Sequence, residues 1–270
     1  MNSARSPEVT DLVVGAGSGM GAAVAAALGG DRPLVLADAN ISGAERVGSQ
    51  LKRKAEWVKC DVTNPDDRDA LAERVPALGS LVITAGLSPT MAPGERILEV
   101  NLIGMTQLLG RLDAAVGTGT AAVCFASIAG HGVEVSNEVA AILDDPLNPD
   151  LIDRLRAQGV DPSNAGTAYG LSKLGVIRLV RRLAQTWAPR GARILSLSPG
   201  IIDTPMGNQE LQQQAGMQPM IDLVGRMGSA AELASVAAFL VSEGASFMNG
   251  CDVLVDGGFM ALAEGWTAQG

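Results

Sequence analysis

The sequence predicts an α/β fold: one domain built on a single, mostly parallel, seven-stranded sheet with helices wound over both faces. Three observations predict it. Short apolar runs alternate with helix-length segments along the 270 residues. Those runs are apolar at nearly every position rather than every second one, as strands covered on both faces are. No repeat, low-complexity tract or linker interrupts the rhythm, so a single domain over residues 1–270 is expected.

Taken in order, Asp11–Val14 reads as the first strand and Met20–Leu28 as the helix after it. Leu34–Asp38 is followed by a helix over Gly43–Lys54, and Trp57–Asp61 by one over Asp66–Val75, with Pro65 and Asp66 suited to its start. Ser80–Ala85 leads into a long helical stretch, Glu95–Val116. Ala121–Ser127 is the fifth strand, and the helix Ala168–Ala188 ends before Gly191. Ala192–Ser198, the helix Ala230–Ser242 and the strand Cys251–Asp256 complete the sheet. Two stretches break the pattern. Residues 130–166 read as a helical insertion, with one short helix over Asn137–Leu143. A second helix follows Asn148-Pro149, stops near Gly159 and turns Leu151, Ile152 and Leu155 inward. Residues 204–228 read as a lid over substrate, rich in Met206, Met217, Met220, Ile221 and Leu223; these side chains suit either a bulky apolar ligand or the core contacts of a lid helix.

Composition narrows the function classes. Hydrophobic residues make up 47% and charged residues 18%, enough apolar surface for a substantial core. Lys+Arg number 20 against Asp+Glu 29, a net charge of −9 that argues against nucleic acid as a partner. Cys60, Cys124 and Cys251 lie far apart with no C-x-x-C, so neither a disulfide framework nor a zinc site is expected and a reducing cytoplasm fits. A single histidine, His131, excludes a multi-histidine metal site. The uncharged stretch from Leu12 to Gly30 is mostly Gly, Ala and Ser and lacks the large apolar residues that drive membrane insertion. Glu8 and Asp11 stand where a secretory leader would be basic.

The first strand runs into VVGAGSGMGAAV, placing Gly15, Gly19 and Gly21 at a strand–turn–helix junction. Glycine there permits a tight turn and lets a pyrophosphate approach the backbone, while the helix N-terminus offers free N–H groups. Methyltransferases use similar loops. Asp38 ends the second strand, where a carboxylate can accept from the adenosine ribose hydroxyls and would repel a 2′-phosphate. Ala39 and Asn40 follow it and Ser18 lies in the loop, so no cation is placed for a phosphate and NAD is favoured over NADP. The alternative is that Asp38 caps the next helix, a task Ser42 could take instead. Asp61, after the third strand, either reaches the adenine or forms a turn with Val62, Thr63 and Asn64.

Tyr169 is the only tyrosine, and Lys173 is four residues on in AYGLSK, on the same face of a helix. An ammonium beside a phenol favours the phenolate, making the tyrosine a proton carrier near neutral pH. The bland reading of such a spacing is a surface pair. Ser127 ends the fifth strand, where open α/β sheets bind ligands, and its hydroxyl can hold a substrate oxygen or cap a turn. Asn101, in VNLIG, can bind a water beside Lys173 as part of a proton relay, or satisfy backbone inside a helix.

With these residues in place, the sequence resembles the short-chain dehydrogenase/reductase family from about Asp11 to Gly258. Gly15, Gly19 and Gly21 match the family's glycine motif, and Asn101, Ser127, Tyr169 and Lys173 its tetrad. Pro199-Gly200, Ile202 through Thr204, and the ending Val255–Gly258 fall in the family's order. The resemblance extends the cofactor-binding set to Gly17, Ser18, Met20, Asp61, Val62, Ala85, Gly86, Pro199, Gly200, Ile202 and Thr204, with Tyr169 and Lys173. Two departures stand out: Val14 replaces the motif threonine and Thr84 the asparagine of N-A-G, leaving the hydrogen bonding between first and fourth strands in question.

The resemblance implies hydride transfer between a nicotinamide and a carbonyl or secondary alcohol carbon. Ser127 and Tyr169 hold the substrate oxygen, Lys173 holds the nicotinamide ribose, and Thr204 fixes the carboxamide. Ser127 and Tyr169 are 42 residues apart, wider than is typical. That insertion is similar to the bacterial 3α-hydroxysteroid dehydrogenase/carbonyl reductase subgroup and points to a hydrophobic cyclic or steroid-like substrate. Small carbonyls, acyl thioesters and a silent NAD(H)-binding protein are the alternatives. A homodimer or homotetramer is implied, with the last strand and the Ala230–Ser242 helix at the contact.

Overall fold

The computed structural model describes residues 8–213 and 216–267. Most of the N-terminal stretch weighed above as a leader, and lid positions 214 and 215, lie outside them. The chain runs β1 (Val9–Val14), α1 (Gly19–Ala27), β2 (Leu34–Asp38), α2 (Ile41–Gln50), β3 (Ala55–Lys59), α3 (Pro65–Arg74) and β4 (Ala77–Ile83). It continues through α4 (Gly94–Leu98), α5 (Met105–Leu112), β5 (Ala121–Phe125), α6 (Asn137–Leu143), α7 (Leu151–Ala157) and α8 (Ala165–Trp187). Next come β6 (Arg193–Pro199), β7 (Ile202–Asp203), α9 (Pro205–Gln213), α10 (Met217–Val224), β8 (Gly228–Ser229), α11 (Ala230–Val241), β9 (Asp252–Val255) and α12 (Phe259–Thr267).

Seven strands form one parallel sheet in the order β3-β2-β1-β4-β5-β6-β9, and the two-residue strands β7 and β8 pair apart from it. Successive residues of a strand face opposite sides, so each strand feeds two cores. Leu12 and Val14 pack with α3, α5 and α8 on one side; Val13 packs with α1, α2 and α11 on the other. The winding reverses between β1 and β4, and the C-terminal ends of these neighbours open the crevice in which open α/β sheets bind ligands.

Three expectations are corrected by burial and capping. Trp57–Asp61 reads as a buried strand, but β3 lies two residues earlier, at the sheet edge, with Trp57 37% exposed. Among the described residues its one sheet partner is β2, on one side of its backbone. The helix expected from Gly43 starts earlier, at Ile41, because Asn40, not Asp38 or Ser42, accepts from the Gly43 N–H at 3.3 Å, and it stops at Gln50 instead of Lys54. The stretch Glu95–Val116 is helical but not uniform: α4 widens into a π-helical segment, Glu99–Gly104, before α5.

The insertion forms α6 over Asn137–Leu143, as the sequence predicts, and α7. Val139, Ile142, Leu143, Leu151 and Leu155 make a third small core with Leu98 and Leu102, and with Ala168 and Leu171 of α8. Asp144, at the end of α6, takes the Arg178 Nε at 2.9 Å and also pairs with Arg182, fastening the insertion to α8.

The two departures in the family motif compensate each other. Thr84 donates its hydroxyl to the carbonyls of Val14 (3.0 Å) and Gly15 (3.1 Å). The Thr84 and Ala85 N–H groups also reach the Val14 carbonyl, at 2.8 and 3.1 Å. The hydroxyl missing at Val14 is thus supplied from the neighbouring strand, and the crevice keeps its closed seam.

Candidate active site

The glycine loop is shaped by steric necessity. Gly15 holds φ +85° and Gly19 φ +53°, a region L side chains rarely enter. A Cβ on Gly15 would sit 2.5 Å from the Ala85 nitrogen, and one on Gly21 only 2.0 Å from the Gly15 carbonyl. Asp38 accepts the Gly17 N–H at 2.7 Å with one carboxylate oxygen and the Asn40 N–H at 2.8 Å with the other. Arg46, on α2, donates to the Gly17 carbonyl at 2.9 Å. The sequence reading placed no cation near this loop. Arg46 corrects it: helix α2 folds back across the end of β2 and brings in a guanidinium from eight residues beyond Asp38.

Gly15, Ser18, Gly19, Met20, Gly21 and Asp38 form one wall of a cavity of about 330 Å³. Asp61, Val62, Ala85, Gly86 and Thr204 close the rest. Asp61 serves the turn as well: its carboxylate takes the Thr63 N–H at 2.9 Å and the Thr63 hydroxyl at 2.7 Å. Burial pushes its pKa up, but the Thr63 hydrogen bonds and the Arg96 charge outweigh that and hold it below the usual carboxylate value. The Thr204 hydroxyl accepts the Gly207 N–H at 3.1 Å at the start of α9. Gly200 and Ile202 lie elsewhere, on a neighbouring cavity of about 180 Å³ shared with Ile128, Ile201, Met220, Ile221 and Val224. Pro199 ends β6 beside it.

At the inner end of the larger cavity a Cβ on Gly86 would stand 3.2 Å from the Asn101 Oδ1 and 3.5 Å from the Lys173 Nζ. Lys173 is buried, donates to the Phe125 carbonyl at 3.0 Å and lies 5.7 Å from the centroid of the Tyr169 ring. Ser127 caps a short turn after β5, its hydroxyl accepting the Ala129 N–H at 3.2 Å, while facing the Tyr169 phenol. That turn lies close on α8: a Cβ on Gly130 would be 2.8 Å from the Lys173 main-chain carbon, and one on Gly170 2.5 Å from Val133. Glycine at both positions lets the Ser127 segment approach the tyrosine.

One sequence expectation is narrowed here and one changes. Asn101 is fully buried, and both of its amide N–H donors are committed, to the Leu87 carbonyl at 2.9 Å and the Ser172 hydroxyl at 3.3 Å. Its Oδ1 accepts the Leu87 N–H at 2.7 Å and keeps a second lone pair, so the side chain fixes the Gly86–Ser88 loop and can still accept from a water beside Lys173. Lys173 was expected to draw the phenol's pKa down. Burial dominates: it pushes Tyr169 up to about 12, against the Ser127 hydrogen bond and with the help of the Glu210 charge, and pushes Lys173 down to about 8. Because Tyr169 is the only tyrosine, an absorbance titration of the folded protein reads this directly. The expected midpoint lies well above the free value near 10; a midpoint at or below 10 contradicts it.

His131, left without a role above, ties the segment to the sheet edge: its Nε2 is 2.8 Å from Asp252 and 3.3 Å from the Ser198 hydroxyl. No cluster of metal-ligating side chains occurs among the described residues. No helix among them is long and apolar enough to cross a membrane.

A parallel sheet with a glycine-walled crevice at its reversal point, and a Ser–Tyr–Lys cluster at the crevice's inner end, is the architecture of a dinucleotide-dependent oxidoreductase. The family model for short chain dehydrogenases matches residues 10–141, and one described as enoyl-(acyl carrier protein) reductase matches residues 152–260. The chain is 34% identical to the short-chain dehydrogenase/reductase bsc3 of Alternaria brassicicola over 96% of this chain and 98% of that one. It is 32% identical to cis-4-hydroxycyclohexanecarboxylate dehydrogenase of Sinomonas cyclohexanicum, over 93% and 96%. The crystal structure of the 3-alpha-hydroxysteroid dehydrogenase from Pseudomonas sp. B-0831 complexed with NADH superposes with a TM-score of 0.74 at 28% identity, covering 95% of this chain and 98% of that one. The protein belongs to the short-chain dehydrogenase/reductase family.

Proposed function

We propose that the protein is an NAD(H)-dependent dehydrogenase/reductase of secondary alcohols and ketones, with a hydrophobic cyclic or steroid-like substrate. The observation that carries this is the junction at Gly86, where the glycine-walled cavity meets Lys173 and, across it, Tyr169 and Ser127. The cradle fits a dinucleotide because side chains are sterically excluded from its floor at Gly15 and Gly21. Gly15, Ser18, Gly19, Met20 and Gly21 would hold the pyrophosphate at the start of α1, and Asp38 the adenosine ribose. Asp61 and Val62 would flank the adenine, and Gly86, Thr204 and Lys173 the nicotinamide end. Asp38 is the support for NAD over NADP; Arg46 is engaged with the Gly17 carbonyl.

The nicotinamide supplies the two-electron redox chemistry; the chain supplies position and proton. Ser127 donates to the substrate oxygen and, with the Tyr169 phenol, fixes its orientation. In reduction the phenol gives its proton to the oxygen as the carbonyl becomes an alcohol; in oxidation the phenolate takes the hydroxyl proton. A phenol held protonated by burial starts as the acid, so ketone reduction stays level at pH values below its raised pKa, while alcohol oxidation, which needs the phenolate, rises with pH.

The cavity beside Ile128, lined mostly by apolar residues with Arg226, Glu232 and Asp256 among them, supports a substrate with a ring-sized apolar body. The names of the cyclohexane and hydroxysteroid enzymes above agree with it. A reductase of acyl thioesters is the second reading, favoured by the family model over residues 152–260 and opposed by a net charge of −9. Exposed Phe239, Phe247 and Leu254 support assembly through α11 and the β9 edge as a homodimer or homotetramer, which light scattering separates from a monomer. Three free cysteines, Cys60, Cys124 and Cys251, support a reducing cytoplasm.

The test is NAD⁺ and NADP⁺ reduction, followed by nicotinamide absorbance, over hydroxysteroids, terpene alcohols and simple cyclic alcohols. Turnover with NAD⁺ is expected. NADH binding with no turnover of any alcohol, or of the matching ketones in reverse, sinks the proposal.

A further inference from the structure

Among the described residues, Arg96 is the one cation that lines the large cavity, in company with Asp61, Val62 and Val100. Its guanidinium is held along its edge. Nη1 donates to the Thr63 hydroxyl at 3.2 Å and to the Glu99 carboxylate at 2.8 Å, and Nη2 to Asp61 at 3.5 Å. The Thr63 hydroxyl in turn donates to Asp61 at 2.7 Å, closing a ring of contacts. The Asp61 backbone is fixed as well, its N–H donating to Asp67 at 2.9 Å.

The helix that carries Arg96 has little freedom to shift. A Cβ on Gly94, at the start of α4, would lie 2.2 Å from the Pro162 carbonyl, and the Gly94 N–H donates to the Ser163 carbonyl at 3.2 Å. Arg96 follows two residues later, with its side chain 39% exposed. Ion pairs this exposed contribute little to stability. What the three acceptors accomplish is to order a long side chain that is otherwise free to sample many rotamers. Guanidinium donors lie in the plane of the group, so acceptors along the edge leave its flat faces open. A flat cation held in this way is a stacking surface for an aromatic ring or a nucleobase. Asp61 suits another part of the same base: a carboxylate accepts from an amino group on the edge and has nothing to offer the face.

We infer that Arg96 is a cofactor-binding residue, its guanidinium plane stacking on the adenine of the dinucleotide while Asp61 accepts at the edge of the base. This rests on the reading of the large cavity as a dinucleotide site. Stacking is indifferent to the substituents on the ring, so the contribution of Arg96 should be the same for hypoxanthine, which carries a keto oxygen in place of the amino group.

The test is fluorescence titration with NADH and with reduced nicotinamide hypoxanthine dinucleotide, and displacement of NADH by ADP-ribose. Wild type is compared with Arg96→Met, which keeps length and loses plane and charge, and with Arg96→Lys, which keeps the charge and loses the plane. In Arg96→Met the Kd for all three ligands should rise about fivefold, the scale of a partly exposed cation–π contact. Arg96→Lys should recover less than half of that loss. Wild-type affinity in Arg96→Met overturns the inference. So does full recovery in Arg96→Lys, which would reduce the role to charge or to pairing with Asp61 and Glu99. A loss confined to the adenine ligands, with the hypoxanthine dinucleotide unaffected, also overturns it, because Arg96 would then act only by holding Asp61. If wild type binds none of the three, the dinucleotide reading falls and this one with it; tight binding that is indifferent to Arg96 counts against this one alone.

Discussion

Tyr169→Phe is expected to lose about 10²–10⁴-fold in turnover, the range a positioned proton carrier contributes. NADH affinity should change by less than about threefold. Phenylalanine keeps the ring that stands 5.7 Å from the Lys173 ammonium and keeps the packing of α8, so only the proton is removed. Both directions depend on that hydroxyl and should fall together, and the rise of oxidation with pH should vanish with it. Single-turnover and steady-state rates across pH 6–10, beside a fluorescence titration with NADH, decide it. Wild-type rates in the variant would remove Tyr169 from the chemistry.

The second large effect is steric. Gly21→Ala places a methyl 2.0 Å from the Gly15 carbonyl and 2.6 Å from the Thr84 hydroxyl. Neither neighbour can give way: Thr84 is bonded to the Val14 and Gly15 carbonyls, and the Gly15 N–H is bonded to the Ala37 carbonyl at 2.8 Å. The helix α1 must therefore move off the crevice or the seam between β1 and β4 must open. A loss of about 3 kcal/mol of stability is expected, at the upper end for overpacking, together with loss of dinucleotide binding. Urea unfolding monitored at the three tryptophans reads the first and NADH fluorescence the second. Unchanged binding at wild-type stability would show that the loop has another conformation available.

What could be read from sequence was what neighbours along the chain determine. Strands such as β5, apolar from Ala121 to Phe125, announce burial on both faces. The glycines announce a backbone that no other residue can follow. Tyr169 and Lys173 share a helix face by spacing alone. Contacts between segments far apart in the chain were not readable in that way. Arg46 reaches Gly17 only because α2 folds back, and Thr84 replaces the Val14 position only because β4 lies beside β1. Asn101 spends its amide on Leu87 because the π-helical segment points it there. The pKa of the tyrosine went against expectation for the same reason: spacing reveals the nearby charge, but burial is set by the whole fold. The edge strand β3 was misplaced because a strand with one partner lacks the apolar continuity by which the others are found.

The insertion's small core touches the site on two sides. Leu98 and Leu102 flank the segment that carries Asn101, while Ala168 and Leu171 flank Tyr169. Local opening of that core, at a free energy below that of global unfolding, would release the two elements together. Heat inactivation is then expected to follow the opening of this small core rather than the melting of the sheet. Amide hydrogens of α6 and α7 would exchange on the same schedule as activity fades, while the central strands remain protected.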